Sequence, residues 1–168
     1  EALAFAVQNA WEMVTWASSK LYKSFMDMWS GFNHIATTER AAELLAVLTS
    51  RGIYNPASMP FGGKNAPAVM QTMVTECFDE MIEADFFRAF VDDCGVGTGD
   101  ALSLIDPLEE SPEADREFDE HEEMLERTYL VARFYGFKFK MTKAFLFQQK
   151  VKALGLIAGR GSWCSDEA

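Results

Sequence analysis

The stretch from Ala66 to Thr98 constrains the fold more than any other part of the chain. Val69, Met70, Met73, Val74, Cys77, Phe78, Met81 and Ile82 recur at i, i+3 and i+4, which predicts an amphipathic helix over Ala66–Ile82 with Pro67 in its first turn. Phe86-Phe-Arg-Ala-Phe-Val91 follows, aromatic and β-branched, and reads as a buried strand. Asp92-Asp-Cys-Gly95 is then a tight connection, and Cys94–Thr98 the returning strand. Two carboxylates therefore lie at the apolar end of a core strand, where burial without compensation is costly.

The flanking segments predict the rest of one domain. Asn9-Ala-Trp-Glu12 fits an N-cap with Glu at N3 and a helix to about Ser18. Leu21, Lys23, Phe25 and Asp27 fall on one face of a strand, placing Asp27 at its end. Ala41, Leu44, Leu45 and Leu48 recur at helical spacing, with Gly52 as a stop. Residues Asp100 to about Phe118 read as a loop with Asp-Pro and Ser-Pro, and a second helix runs to Tyr135, closed by Gly136. Short strands follow over Phe137–Lys140, Ala144–Phe147 and Val151–Ala158, the last two joined by a Gln148-Gln149 turn. This order predicts an α+β layer pair, an antiparallel sheet backed by helices.

Charge is the composition term that matters. Of 168 residues, 49% are hydrophobic and 24% charged, which excludes a wholly disordered chain. The net charge of −11 at first sight disfavours nucleic-acid binding. Yet Asp106–Arg127 holds 11 acidic and 2 basic residues, a net of −9, leaving 15 acidic against 13 basic elsewhere. The acidity belongs to one insert-like segment and is no veto on the remaining surface.

Cys77, Cys94 and Cys164 are scattered, with no CxxC pair and only His34 and His121 beside them, a pattern that argues against structural zinc and for a reducing intracellular compartment. No apolar run approaches the roughly 18 residues of a membrane span, and no secretory leader is visible. A chain opening on Glu1 reads as a processed product or a piece of something larger. Phosphate-binding glycine loops are absent, Ser and Cys lack a convincing His partner, and His121 is expected to face solvent within an acidic helix turn.

Asp27, Asp92 and Asp93 remain as the chemical candidates. Clustered carboxylates with no base between them repel, and a hard divalent cation, Mg2+ above all, relieves that repulsion. Adjacent strand side chains point to opposite faces, so Asp92 and Asp93 share one site only if the turn redirects them. The plain alternative is a polar hairpin turn, where Asp is common.

Met59-Pro-Phe-Gly-Gly-Lys-Asn-Ala-Pro67, a helix, and Phe90-Val-Asp-Asp93 together resemble the reverse transcriptases of long-terminal-repeat (Ty3/gypsy-like) retrotransposons, whose blocks read MPFGLKNAP and YxDD. Phe25-Met-Asp-Met-Trp-Ser-Gly-Phe32 is similar to that family's LDLRSGY, Gly136–Phe145 to GLKLNPxKCxF, and Val151-Lys-Ala-Leu-Gly155 to VEFLG. The resemblance runs from about residue 6 to 158 and implies a polymerase palm with part of the fingers, leaving 159–168 as a tail or the start of a further region. It further implies an RNA-directed DNA polymerase in which Asp27, Asp92 and Asp93 bind two Mg2+ (or Mn2+) ions. By the same resemblance, Phe32 gates the sugar, Phe61 and Gly62 lie beneath the incoming nucleotide, and Lys143 stands near the departing pyrophosphate. Primer–template and dNTP would be the partners.

Several positions depart from the family pattern. Its R-x-K-T-A-F stretch becomes Ala42-Glu-Leu-Leu-Ala-Val47, losing the cations, with Leu44 in place of the lysine. Phe90 stands for Tyr, the return strand is glycine-rich, and an acidic insert occupies about 101–118. By resemblance, further fingers residues would precede residue 1, and thumb, connection and ribonuclease H regions would follow residue 168. These departures sustain a rival expectation, a domesticated and catalytically silent copy serving as a structural subunit of a larger assembly. Trp11, Trp16, Trp29 and Trp163, where exposed, would then anchor protein partners.

Overall fold

The computed structural model describes residues 10–103 and 111–165. Its centre is strand β1 (Lys20–Asp27), antiparallel to β5 (Asp93–Asp100) on one side and to β6 (Phe145–Gln148) on the other. Strand β4 (Phe87–Phe90) pairs with β5 at the edge, giving the order β4-β5-β1-β6. From Leu21 to Met26 every residue of β1 is buried, because both faces of the sheet are covered.

One face carries helices α3 (Ala66–Cys77), α4 (Asp79–Glu83) and α5 (Pro112–Tyr135), with Met26, Met70, Val74, Phe78, Phe87, Cys94, Val96, Met124 and Leu125 in its core. The expected single helix over Ala66–Ile82 breaks at Phe78, whose ring stacks on Phe87 of the sheet with centroids 4.3 Å apart. The other face carries α1 (Ala10–Ser19) and a small sheet of β7 (Val151–Ala153), β8 (Leu156–Ala158) and β9 (Trp163–Ser165). Within 159–168, expected as a tail or the start of a further region, Trp163–Ser165 forms β9, which pairs with β8. The architecture is an antiparallel sheet with flanking helices, the α+β palm arrangement.

The glycine-rich return strand has a packing reason. A Cβ on Gly95 would meet Phe25 at 3.0 Å and the Trp16 ring at 3.1 Å, and one on Gly97 would meet Lys20 at 2.6 Å. Bare backbone there admits the indole of Trp16, which donates from Nε1 to the carbonyl of Asp85 at 3.3 Å. Trp16 is therefore core, whereas Trp11, Trp29 and Trp163 are exposed.

Four further expectations are corrected. Only Glu39–Leu44 of the 38–51 stripe is helical (α2); Val47–Thr49 (β2) and Gly52–Tyr54 (β3) form a hairpin, and none of these residues is buried. A helical stripe without a surface to pack on does not persist. Helix α5 begins at Pro112, capped by Ser111 whose hydroxyl accepts from Ala114 N–H at 3.1 Å, so the second half of the acidic insert is helix; residues 104–110 lie outside the described residues.

Gln148 and Gln149 do not join two paired strands, since β6 pairs with β1 and β7 with β8. The link is instead held by buried Lys23, whose ammonium donates to the carbonyls of Gln149 (2.8 Å) and Lys20 (2.6 Å). Burial first, and Arg160 second, bring the Lys23 ammonium down to about 8. His121, expected in solvent, is fully buried: Ser24 Oγ lies 2.7 Å from Nε2 and Thr98 Oγ1 2.8 Å from Nδ1. Among the described residues no helix is long and apolar enough to cross a membrane.

Candidate active site

Register brings two of the three carboxylates together. Asp27 closes β1, Asp93 opens β5, and the two are direct cross-strand partners, so their side chains share a face. Asp92 lies in the turn before β5, where its carbonyl accepts from Met28 N–H at 2.9 Å. Val91 enters that turn at φ 58°, a left-handed conformation that is costly for a β-branched residue. Buried Gln71 of α3 holds it there: its Oε1 accepts from Val91 N–H at 2.8 Å and its Nε2 donates to Ala89 O at 3.0 Å.

Two clefts meet at Asp27. One, of about 370 Å3, is lined by Asp27, Asp93, Thr142 and Lys143 with Phe25 and Phe145. The other, of about 260 Å3, is lined by Asp27, Asp92, Trp29, Phe61 and Lys140. The turn thus leaves Asp92 and Asp93 in separate clefts with Asp27 common to both. Among the described residues, no three His, Cys, Asp or Glu side chains already form a ready metal-ligand group.

Electrostatics couples the acids all the same. Burial, then Asp92 and then Asp27, push the carboxyl of Asp93 up to about 6, with Lys143 opposing. Burial likewise raises Asp92, and Asp27 adds to the rise. Lys143 closes a short 3-10 helix, Met141–Lys143, and its Nζ stands 3.4 Å from Asp27 Oδ2.

The aromatic candidates lie beside the second cleft. Phe32, in the 3-10 turn Gly31–His34, meets Phe61 edge to face at 5.2 Å. Phe61 is largely exposed, and Gly62 follows at φ 88° in open space. A Cβ on Gly31 would meet the terminal methyl of Met70 at 2.8 Å, so a larger residue there would have to displace the end of that side chain.

Three residues of the site were not anticipated from sequence. Gln71 sits inside the apolar stripe of α3, and a polar residue among Met70 and Val74 was the available signal. Trp29 and Lys140 pair across the second cleft, the ammonium 5.7 Å from the indole centroid. They are brought together by Lys140 N–H donating to Asp27 O at 2.8 Å and Trp29 N–H to Lys138 O at 2.7 Å.

The fold is shared with solved polymerases. A foamy viral protease–reverse transcriptase bound to double-stranded DNA superposes with a TM-score of 0.79 at 18% identity, over 98% of this chain and 26% of that one. The same kind of protein bound to an RNA/DNA hybrid gives 0.74 at 17% identity, over 97% and 20%. In sequence, the enzymatic polyprotein of Figwort mosaic virus (strain DxS) is 25% identical over 156 residues, 93% of this chain and 21% of that protein. Polyprotein P3 of Commelina yellow mottle virus is 36% identical over 75 residues, 45% of this chain and 4% of that protein. The chain therefore spans about a fifth or less of the curated viral proteins it matches. These likenesses reach retroviral and retroelement proteins at large, a wider circle than the long-terminal-repeat retrotransposons of the motif resemblance. The profile described as reverse transcriptase (RNA-dependent DNA polymerase) matches residues 10–158, nearly all of the sheet and helices set out above, and the chain belongs to that family.

Proposed function

We propose that the chain is the palm of an RNA-directed DNA polymerase of a long-terminal-repeat-type retroelement. The observation that carries this reading is the pairing of Asp27 with Asp93 across β1 and β5, with Asp92 one residue away. The donor set fits a hard divalent cation: Asp27 adds to the cost of ionising Asp92, Asp92 and Asp27 add to that of Asp93, and an ammonium already leans on Asp27. Asp27, Asp92 and Asp93 would hold Mg2+ or Mn2+, which when bound supplies charge stabilisation to the attacking and leaving oxygens of nucleotidyl transfer.

The chain's own residues do the rest. Phe32, braced edge to face by Phe61, fills the space that a ribose 2'-hydroxyl would need and so excludes ribonucleotides by clash. Phe61 and Gly62 form an open floor for the incoming nucleotide. Lys143, beside Asp27, offers a positive charge and a proton where the pyrophosphate leaves.

The test is primer extension on an RNA template with Mg2+ or Mn2+, using the longest natural form of the protein. Extension abolished by Asp92→Asn/Asp93→Asn supports the polymerase. A folded but silent protein would favour the second reading, a structural subunit without catalysis. That reading draws on the α2–β3 segment, where Leu44, Leu48 and Ile53 are exposed in the region that lost the family's cations.

A further inference from the structure

We propose that Lys143 is the resident counter-ion of the Asp27–Asp93 cleft, its ammonium standing where a divalent cation would bind and withdrawing when the cation arrives. The inference rests on the metal-binding reading above and adds the residue that regulates that site.

The base of the lysine is fixed while its head is exposed to solvent. Lys143 N–H donates to Lys140 O at 2.9 Å, and Lys140 N–H donates to Asp27 O at 2.8 Å, so the short 3-10 helix is tied to the strand that bears the acid. The side chain is 60% exposed and reaches Asp27 Oδ2 at 3.4 Å, close enough for attraction and longer than a tight charge-assisted hydrogen bond. It lines the same cleft as Asp93, which lies directly across the sheet from Asp27. Its charge also acts on the remaining two acids, opposing the burial and mutual repulsion that raise Asp92 and Asp93.

This arrangement has a consequence for loading. Without a counter-charge, an acidic cleft between buried strands would push its own strands apart or stay protonated. Lys143 removes that conflict in the cation-free protein. A divalent cation then has to displace one positive charge, so its apparent affinity is lower than the carboxylates alone would give. An ammonium on a long, exposed stem can swing out at little cost, which makes the displacement reversible.

Mn2+ binding to the full chain, followed by loss of the free-ion electron paramagnetic resonance signal at fixed ionic strength, tests this directly. Lys143→Met should lower the apparent Kd about two- to fivefold, the range that an exposed ion pair supports. Lys143→Arg, which keeps the charge, should retain the wild-type Kd, and Lys138→Met should leave it unchanged, separating local from net charge. The inference is overturned if Lys143→Met binds Mn2+ no more tightly than wild type, or if Arg tightens binding as much as Met. Mn2+ binding that survives Asp27→Asn/Asp93→Asn would overturn the metal-site reading itself, and the counter-ion with it. Circular dichroism of each variant under the same conditions identifies any that fail to fold.

Discussion

The side-chain carbonyl of Gln71 accepts the backbone N–H of Val91 at 2.8 Å, and through that bond helix α3 dictates the turn that presents Asp92 and Asp93. Val91 is held at φ 58°, where a β-branched residue costs on the order of 1–3 kcal/mol. Gln71 is only 2% exposed, so no water substitutes readily for its amide. Replacing it with Met leaves Val91 N–H and Ala89 O without their partner. The expected loss is about 1–3 kcal/mol in urea unfolding. Gln71→Glu keeps an acceptor for Val91 but buries a carboxylate against Ala89 O, so it too should fall below wild type. Equal midpoints for all three would show that the turn holds itself.

The close approach of α1 to β5 gives a second expectation. A Cβ at Gly97 would sit 2.6 Å from Lys20 Cγ and 3.1 Å from the Trp16 ring. Lys20 can yield at its flexible stem, but the indole is hemmed in by its bond to Asp85 O. Gly97→Ala should therefore destabilise by about 1–3 kcal/mol, as overpacking does in well-filled interiors. Gly97→Ala combined with Trp16→Leu should recover part of that loss in thermal unfolding. A single variant as stable as wild type would mean that α1 moves freely on the sheet.

These two contacts also mark where the sequence was legible and where it was not. Local pattern sufficed for α1, for β4 and for the extent of β1, and for α3 as far as Cys77, before the break at Phe78; in β1 the alternation names one face although both are buried. It failed beyond Leu44, at Leu45 and Leu48, whose helical spacing has no packing partner, so the chain turns into a hairpin instead. It failed again at Gln148, because the choice of β1 over β7 as partner for β6 is tertiary and leaves no local mark. His121 was hidden by its acidic neighbours, although Met124, Leu125 and Thr128 at i+3, i+4 and i+7 already placed it on the buried stripe. For the candidate site, the residues Asp27, Asp92 and Asp93 stood out in sequence. Their division between two clefts did not, since it depends on the direction of a single turn.

The proposed role of Phe32 predicts a change in sugar choice. Its ring meets that of Phe61 edge to face at 5.2 Å, so in the proposed role the barrier to a 2'-hydroxyl would be steric and shared by the pair. In the longest active form, Phe32→Ala should raise the kcat/KM ratio of ribo- to deoxyribonucleotide at least about tenfold. Phe61→Ala should raise it less, because the gate loses only its support. An unchanged ratio in Phe32→Ala would remove this residue from the sugar contact.

His121 predicts how stability depends on pH. Burial first, and Lys23 second, bring its imidazole down to about 4, against an ordinary value of 6.5. The neutral ring is satisfied at both nitrogens by Ser24 and Thr98, while Phe147 N–H donates to the same Ser24 hydroxyl at 3.0 Å. As pH falls through 6.5 the unfolded chain takes up a proton that the folded chain refuses. Stability contributed by the neutral ring is therefore lost from about pH 6.5 downward, and the loss levels off near pH 4, where the folded ring also protonates. The difference approaches about 3 kcal/mol at full extent. At pH 7.5, His121→Gln should be less stable than wild type by about 1–3 kcal/mol, because a buried hydroxyl loses its partner. Between pH 6.5 and 4 the variant lacks this titration, so the gap between the two proteins should narrow as the solution is acidified. Urea unfolding of both across that range measures it, and a gap independent of pH would mean that the folded and unfolded rings titrate alike, so that burial does not hold His121 neutral.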